Sequence, residues 1–285
     1  MSYIDMKYIS TYYYANVIQG VIEDPSSYLM NLESIFGDSG VLNYIEPFKK
    51  RSNLHAFIEF IIDSLFWEQY SKLKISNCID RSHFDFDNPR YITPLEHIFE
   101  EYGVDHLSFM EWWNDSEEDI LEERHFEDYY QELVLLEGYY KVIELLGEEV
   151  FYILFLNRKL LQEFNEIFSS YLNMCDGDDF AMEFVKENSL EPILKTDYKL
   201  KRVSIPSWVK RAVYFRDRGA CTKCGKDLSG YLSLENQENY DHIVPLNLYG
   251  FNDVTNIQLL CKECNSKKSG YQRAAETKYQ SWYKK

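Results

Sequence analysis

The sequence predicts a mainly α-helical protein: an all-α N-terminal domain over residues 1–195 and a small C-terminal domain over residues 196–285. Three observations predict it. Apolar residues recur at three- and four-residue spacing through the first two-thirds of the chain. Glycine (12) and proline (7) are scarce for 285 residues, which disfavours a turn-rich all-β fold. Two Cys-x-x-Cys pairs fall within one short basic stretch near the C-terminus.

Leu54, Phe57, Ile58, Ile61, Ile62, Leu65 and Phe66 mark the apolar face of one helix. Residues 126–172 are too long a helical pattern for one ordinary helix, and Gly147 is the expected break between two antiparallel ones. Helix starts are expected after Asp24-Pro25-Ser26-Ser27, Thr93-Pro94-Leu95-Glu96 and Asp115-Ser116-Glu117-Glu118, giving six to nine helices in all. Glu117, Glu118, Asp119, Glu122 and Glu123 read as a solvated helix face.

Chemistry is sparse in this region. His55, His83, His97, His106 and His125 show no metal-ligand spacing. The alternation from His83 to Asp87 reads as an exposed extended segment. Asp176-Gly177-Asp178-Asp179 opens like a calcium loop but lacks the glutamate that such a loop requires, so it is expected to be a turn into a helix at Phe180. The isolated Cys78 and Cys175 read as small buried apolar residues.

The net charge of −17 hides a division: residues 1–200 carry −24 and residues 201–285 carry +7. A small polyanion-binding module joined to a larger acidic domain produces such a balance, as do two soluble domains of unrelated charge. The longest apolar run, residues 150–156, is far short of a membrane span, and the N-terminus, with Asp5 in its first turn, lacks an export signal. The expected location is therefore cytoplasmic, where six cysteines do not form a disulfide framework.

The basic segment opens at Ile205-Pro206-Ser207-Trp208 with a helix that carries Lys210, Arg211, Arg216 and Arg218 and ends at Gly219. Then come Cys221-Thr222-Lys223-Cys224-Gly225 and, 36 residues on, Cys261-Lys262-Glu263-Cys264. Four thiolates in two such pairs suit a closed, structural zinc site; an iron–sulfur cluster or a redox dithiol are the alternatives. Between and after the pairs stand Tyr240-Asp241-His242-Ile243-Val244-Pro245, Gly250, Asn256-Ile257-Gln258-Leu259-Leu260 and Asn265-Ser266-Lys267-Lys268.

The order C-x-x-C, D-H-I-x-P, N-I-Q-L-L-C-x-x-C-N-x-x-K closely resembles the HNH endonucleases over roughly residues 205–270. That resemblance implies a zinc-stabilised ββα-metal domain stapled by Cys221, Cys224, Cys261 and Cys264. It implies His242 as general base, in keeping with an imidazole that titrates near neutral pH. Asp241 and Asn265 are the implied catalytic metal ligands, and their oxygens suit Mg²⁺ or Mn²⁺. Many relatives carry a histidine where Asn265 stands, a departure that weakens any expectation of a softer metal. Asn256 is the implied brace of the loop leaving His242. Lys268, at i+7 from Cys261, is placed to reach the same phosphate or to stand as a solvated charge.

The implied activity is metal-dependent endonucleolytic cleavage of double-stranded DNA, leaving 5′-phosphate and 3′-hydroxyl ends. RNA is the alternative substrate, and a non-catalytic zinc-ribbon module that binds nucleic acid is the alternative function. The acidic domain is expected to bind a protein partner or to self-associate, as in an antiphage-defence or toxin-like effector, and to restrain the nuclease as a tethered polyanion.

Overall fold

A computed structural model describes residues 6–80, 89–118, 120–229 and 239–268. Asp5, Asp119 and the segment from His83 to Asp87 lie outside the described residues. The fold is mainly α with one small sheet: helices α1 (Met6–Glu23), α2 (Leu29–Phe36), α3 (Asn53–Tyr70), α4 (Ile75–Cys78), α5 (Pro94–Tyr102), α6 (Phe109–Asn114), α7 (Arg124–Leu133), α8 (Glu137–Leu154), α9 (Arg158–Met174), α10 (Asp179–Glu187) and α11 (Ser207–Arg216), then strands β1 (Tyr240–His242) and β2 (Ile257–Leu259), then α12 (Lys262–Lys267).

Ten of these helices precede residue 195, against the six to nine expected. The excess lies in short pieces such as the four-residue α4, which periodicity cannot register. Thr93 starts α5 as expected, with a capping box in which its backbone N–H donates to Glu96 Oε2 at 2.6 Å. Asp178 caps α10 through Phe180 N at 3.2 Å.

Two expectations fail. Gly147 does not break a helix; it lies inside α8, and a Cβ there would stand 3.3 Å from Glu59 Cγ. The breaks fall at 134–136 and at Asn157, whose side chain accepts from Leu160 N. Asp115 to Glu118 follow the end of α6 instead of starting a helix, and Glu118 bonds to Arg124 and His125 at the head of α7. Glu117, Glu118, Glu122 and Glu123 thus lie outside any helix and form no helix face.

The chain divides into two compact units: Met1–Ala15 with Phe57–Phe151, and Asn16–Ala56 with Tyr152–Lys285. The first unit absorbs much of the aromatic content. Phe109 packs on Phe126 (4.7 Å between centroids) and Tyr129 (5.3 Å). Buried Tyr139 shares its hydroxyl with Tyr130 and Asp63. Such rings supply large buried area and prefer tilted and edge contacts.

The second unit is built from distant stretches of sequence. Phe168 of α9 packs on Phe36 (4.5 Å) and on Phe251 (5.4 Å). Phe48 N donates to Asn252 O at 2.8 Å, and Asn53 N to Asp253 Oδ2 at 3.0 Å. Asn165 Nδ2 donates to Thr255 Oγ1 at 3.3 Å, and Lys50 lies 4.4 Å over the Trp208 ring. The change of charge near residue 200 therefore coincides with no break in packing: acidic-region residues form the core beneath the C-terminal loop.

Candidate active site and cysteine cluster

β1 and β2 pair antiparallel, with Tyr240 opposite Leu259, Asp241 opposite Gln258 and His242 opposite Ile257. Both strands are short, and β2 is buried throughout. The connecting loop is fixed by Asn256, which is fully buried. Its Oδ1 accepts from Val244 N at 2.8 Å, and its Nδ2 donates to Val244 O at 3.0 Å and Phe251 O at 2.9 Å. One side chain thus does for this loop what a third strand would do. The turn is tight enough that a Cβ on Gly250 would lie 1.9 Å from Val244 O.

His242 is buried, with 2% of its surface exposed. Asn252 Nδ2 donates to Lys201 O at 2.9 Å, which turns its Oδ1 toward the imidazole and makes His242 Nε2 the donor at 3.2 Å. His242 Nδ1 is then the bare nitrogen, and it has no hydrogen-bond partner among the described residues. Burial, and next the nearby Arg202 guanidinium, bring the imidazole down to about 4, so the ring is neutral at neutral pH.

Lys268 closes α12 and is nearly buried. Its ammonium donates to Asp241 Oδ2 at 2.6 Å and also to the His242 carbonyl. It is therefore no solvated charge. Asp241, His242 and Lys268 line one cleft of about 320 Å³ together with Lys195, Arg202, Pro245, Leu246 and Asn247. Neither the buried Asn256 nor Asn265, half-buried on α12, is among the residues lining it.

The four cysteines Cys221, Cys224, Cys261 and Cys264 converge, with all sulfurs within 4.8 Å of one another. Gly225 at φ 77° lets the first pair turn, and Gly225 N donates to Cys221 O. Cys261 caps α12, its sulfur accepting from Cys264 N. Four sulfurs at about 2.3 Å from zinc stand about 3.8 Å apart; Cys224 Sγ and Cys261 Sγ are 3.8 Å apart. Burial opposes ionisation of Cys221, but backbone N–H groups from Cys261, Cys224 and Lys223 outweigh it and bring that thiol down to about 7. Cys264 is driven up to about 12 by burial and by the neighbouring thiols. Four thiolates this close need a cation among them, and the donor set fits structural zinc. Among the described residues this is the one cluster of three or more such ligands.

Two contributors were not legible in the sequence. Asn252 acts through a backbone carbonyl 51 residues away. Arg216 and Asp217, which read as part of a basic helix, form a buried pair at 2.9 Å; Arg216 also donates to Ile257 O and Asp217 accepts from Leu259 N, so together they brace β2. The Arg-Asp dipeptide at the end of a helix leading to a cysteine pair was the available signal.

Two antiparallel strands, a following helix and a cysteine staple define a small ββα unit that presents a neutral histidine beside a carboxylate in a cationic cleft. A protein-family model, HNH endonuclease, matches residues 221–270, and a domain of that family implies a nucleic-acid substrate. No curated protein and no solved structure matches the chain. No helix among the described residues is long and apolar enough to cross a membrane.

Proposed function

We propose that the protein is an endonuclease that hydrolyses phosphodiester bonds of double-stranded DNA. The observation that carries the reading is the neutral imidazole of His242, oriented by Asn252 and lining the same cleft as Asp241. In the proposed reaction His242 Nδ1 takes a proton from a water molecule as the water oxygen bonds to phosphorus. The bond from phosphorus to the 3′ oxygen breaks, that oxygen takes a proton from solvent, and the products carry 5′-phosphate and 3′-hydroxyl ends. Asn256 holds the loop that follows His242 and contacts no reacting atom.

Asp241 Oδ1 is the group in the cleft that would hold the catalytic ion; Asn265, the second ligand that the family resemblance implies, does not line that cleft. Asp241 already shares Oδ2 with Lys268, so the protein offers few oxygen donors. That set fits a hard ion, Mg²⁺ or Mn²⁺, which completes its shell with water and phosphate. When bound, such an ion supplies charge neutralisation at the phosphate and the leaving oxygen. Zinc in the cysteine cluster would be structural, since it would engage all four sulfurs and hold the start of α12.

The test is incubation of the purified full chain with supercoiled plasmid and Mg²⁺, with and without EDTA, beside a structured RNA. Metal-dependent nicking of the plasmid is the expected result. Cleavage of RNA alone would replace the substrate, and binding without cleavage under every divalent ion would leave a zinc-ribbon binding module instead.

A further inference from the structure

Three cations line the cleft, and they are not equivalent. Lys268 is committed to Asp241 and to the His242 carbonyl. Lys195 and Arg202 are exposed, and neither side chain forms an ion pair among the described residues. Both lie ahead of the segment that matches the nuclease family.

They are held by a strap of chain with its own small framework. Leu194 and Leu200 form an antiparallel bridge and are both buried. Lys195 N donates to Lys199 O at 2.8 Å, and Lys201 N to Ile193 O at 2.9 Å. Two tethers tie this strap to the loop between β1 and β2. The Lys199 ammonium lies 4.9 Å over the Tyr249 ring, and Asn252 donates to Lys201 O. Asn252 is the residue that also orients His242. The strap and the base are thus positioned by one amide, and the backbone that carries the two unpaired cations is held at the cleft.

We propose that Lys195 and Arg202 form a phosphate-binding pair that grips the nucleic-acid backbone beside Asp241 and His242. A guanidinium meets two phosphate oxygens at once, while an ammonium acts as a compact point charge, so the pair suits adjacent phosphates and carries no base preference. The inference rests on the nuclease reading above, and it places part of the substrate grip outside the nuclease motif.

The test uses the full chain carrying His242→Ala, so that the probe is not cut. Binding of a fluorescein-labelled DNA duplex, and of an RNA duplex of the same sequence, is followed by anisotropy across a salt series. Lys195→Gln with Arg202→Gln should weaken binding tenfold or more at low salt. It should also flatten the plot of log affinity against log salt by about 1.8, roughly 0.9 for each lost phosphate contact. Lys72→Gln with Lys159→Gln removes equal charge from residues already paired to Glu68 and Glu163, and should change neither quantity. In the cleaving protein the Lys195/Arg202 double variant should lose a similar factor in nicking at low plasmid concentration. Zinc content and melting temperature should match the parent. Loss of grip on either duplex supports the pair. If the double variant binds with the parent's affinity and slope while the wild type still nicks plasmid, the pair is refuted and the nuclease stands. If the wild type neither binds nor cuts, both fall.

Discussion

Lys268 Nζ stands 2.6 Å from Asp241 Oδ2, joining the end of α12 to the middle of β1 across 27 residues of sequence. The helix that carries Lys268 is the one capped by Cys261, so the cysteine cluster, the ammonium and the carboxylate form one mechanical chain. Lys268→Met should leave the Asp241 carboxylate, four-fifths shielded, without its partner. The expected cost is about 3 kcal/mol of stability. Adding Asp241→Asn to Lys268→Met should recover most of that cost but no cleavage; strictly additive losses would show that the two groups are uncoupled.

His242→Ala should lower nicking by a factor of about 10²–10⁴ while zinc content and duplex binding stay unchanged, because it removes a proton acceptor and no zinc ligand. A variant that cuts at the wild-type rate would exclude His242 as the base.

Cys221→Ser or Cys264→Ser should release zinc and unfold the C-terminal strands, whereas Asp241→Ala and Asn265→Ala should keep zinc and lose activity. Metal analysis and circular dichroism on the purified variants separate the two groups. Retention of zinc by both cysteine variants would contradict the four-sulfur site.

Asn256→Asp should be at least as damaging as Asn256→Ala. The alanine loses three hydrogen bonds, but the aspartate turns an oxygen toward the Val244 and Phe251 carbonyls, which now accept from Nδ2. A loss of about 3 kcal/mol is expected for either, read by urea unfolding.

A fragment of residues 199–285 should not fold, because Phe251, Asp253 and Thr255 would lose Phe168, Asn53 and Asn165. This outcome is the reverse of what charge alone suggests, namely a nuclease freed from an acidic restraint. Phe168→Ala in the full chain should cost about 3–5 kcal/mol and abolish cleavage near the melting temperature. A stable, zinc-loaded fragment 199–285 with a cooperative melt would show that the acidic stretch is dispensable.

The features legible in the sequence are those with local grammar. The two Cys-x-x-Cys pairs, the Asp241-His242 pair and Asn256 all lie within residues 221–264, so spacing exposes them. The capping box at Thr93 and the turn at Asp178 are equally local. Gly147 misled because a glycine inside a helix costs only about 1 kcal/mol and is tolerated where another helix comes close. What covers each apolar face was not legible at all: periodicity shows that α9 has such a face, but not that Phe251 lies on it. Charge counting has the same limit, since Arg216 adds to the basic tally yet spends its charge on Asp217.

The bond from Asn53 N to Asp253 Oδ2 closes a loop of 200 residues. Contacts of such sequence separation are slow to form, since the chain must give up loop entropy before they return anything. On a ribosome the consequence is an order of events. The platform of residues 16–56 and α9 emerges first, the hairpin bearing His242 follows, and Cys264 and Lys268 come after it. A nascent chain therefore holds no assembled cleft before Lys268 has emerged, and Asp241, His242 and Lys268 come together in one late step.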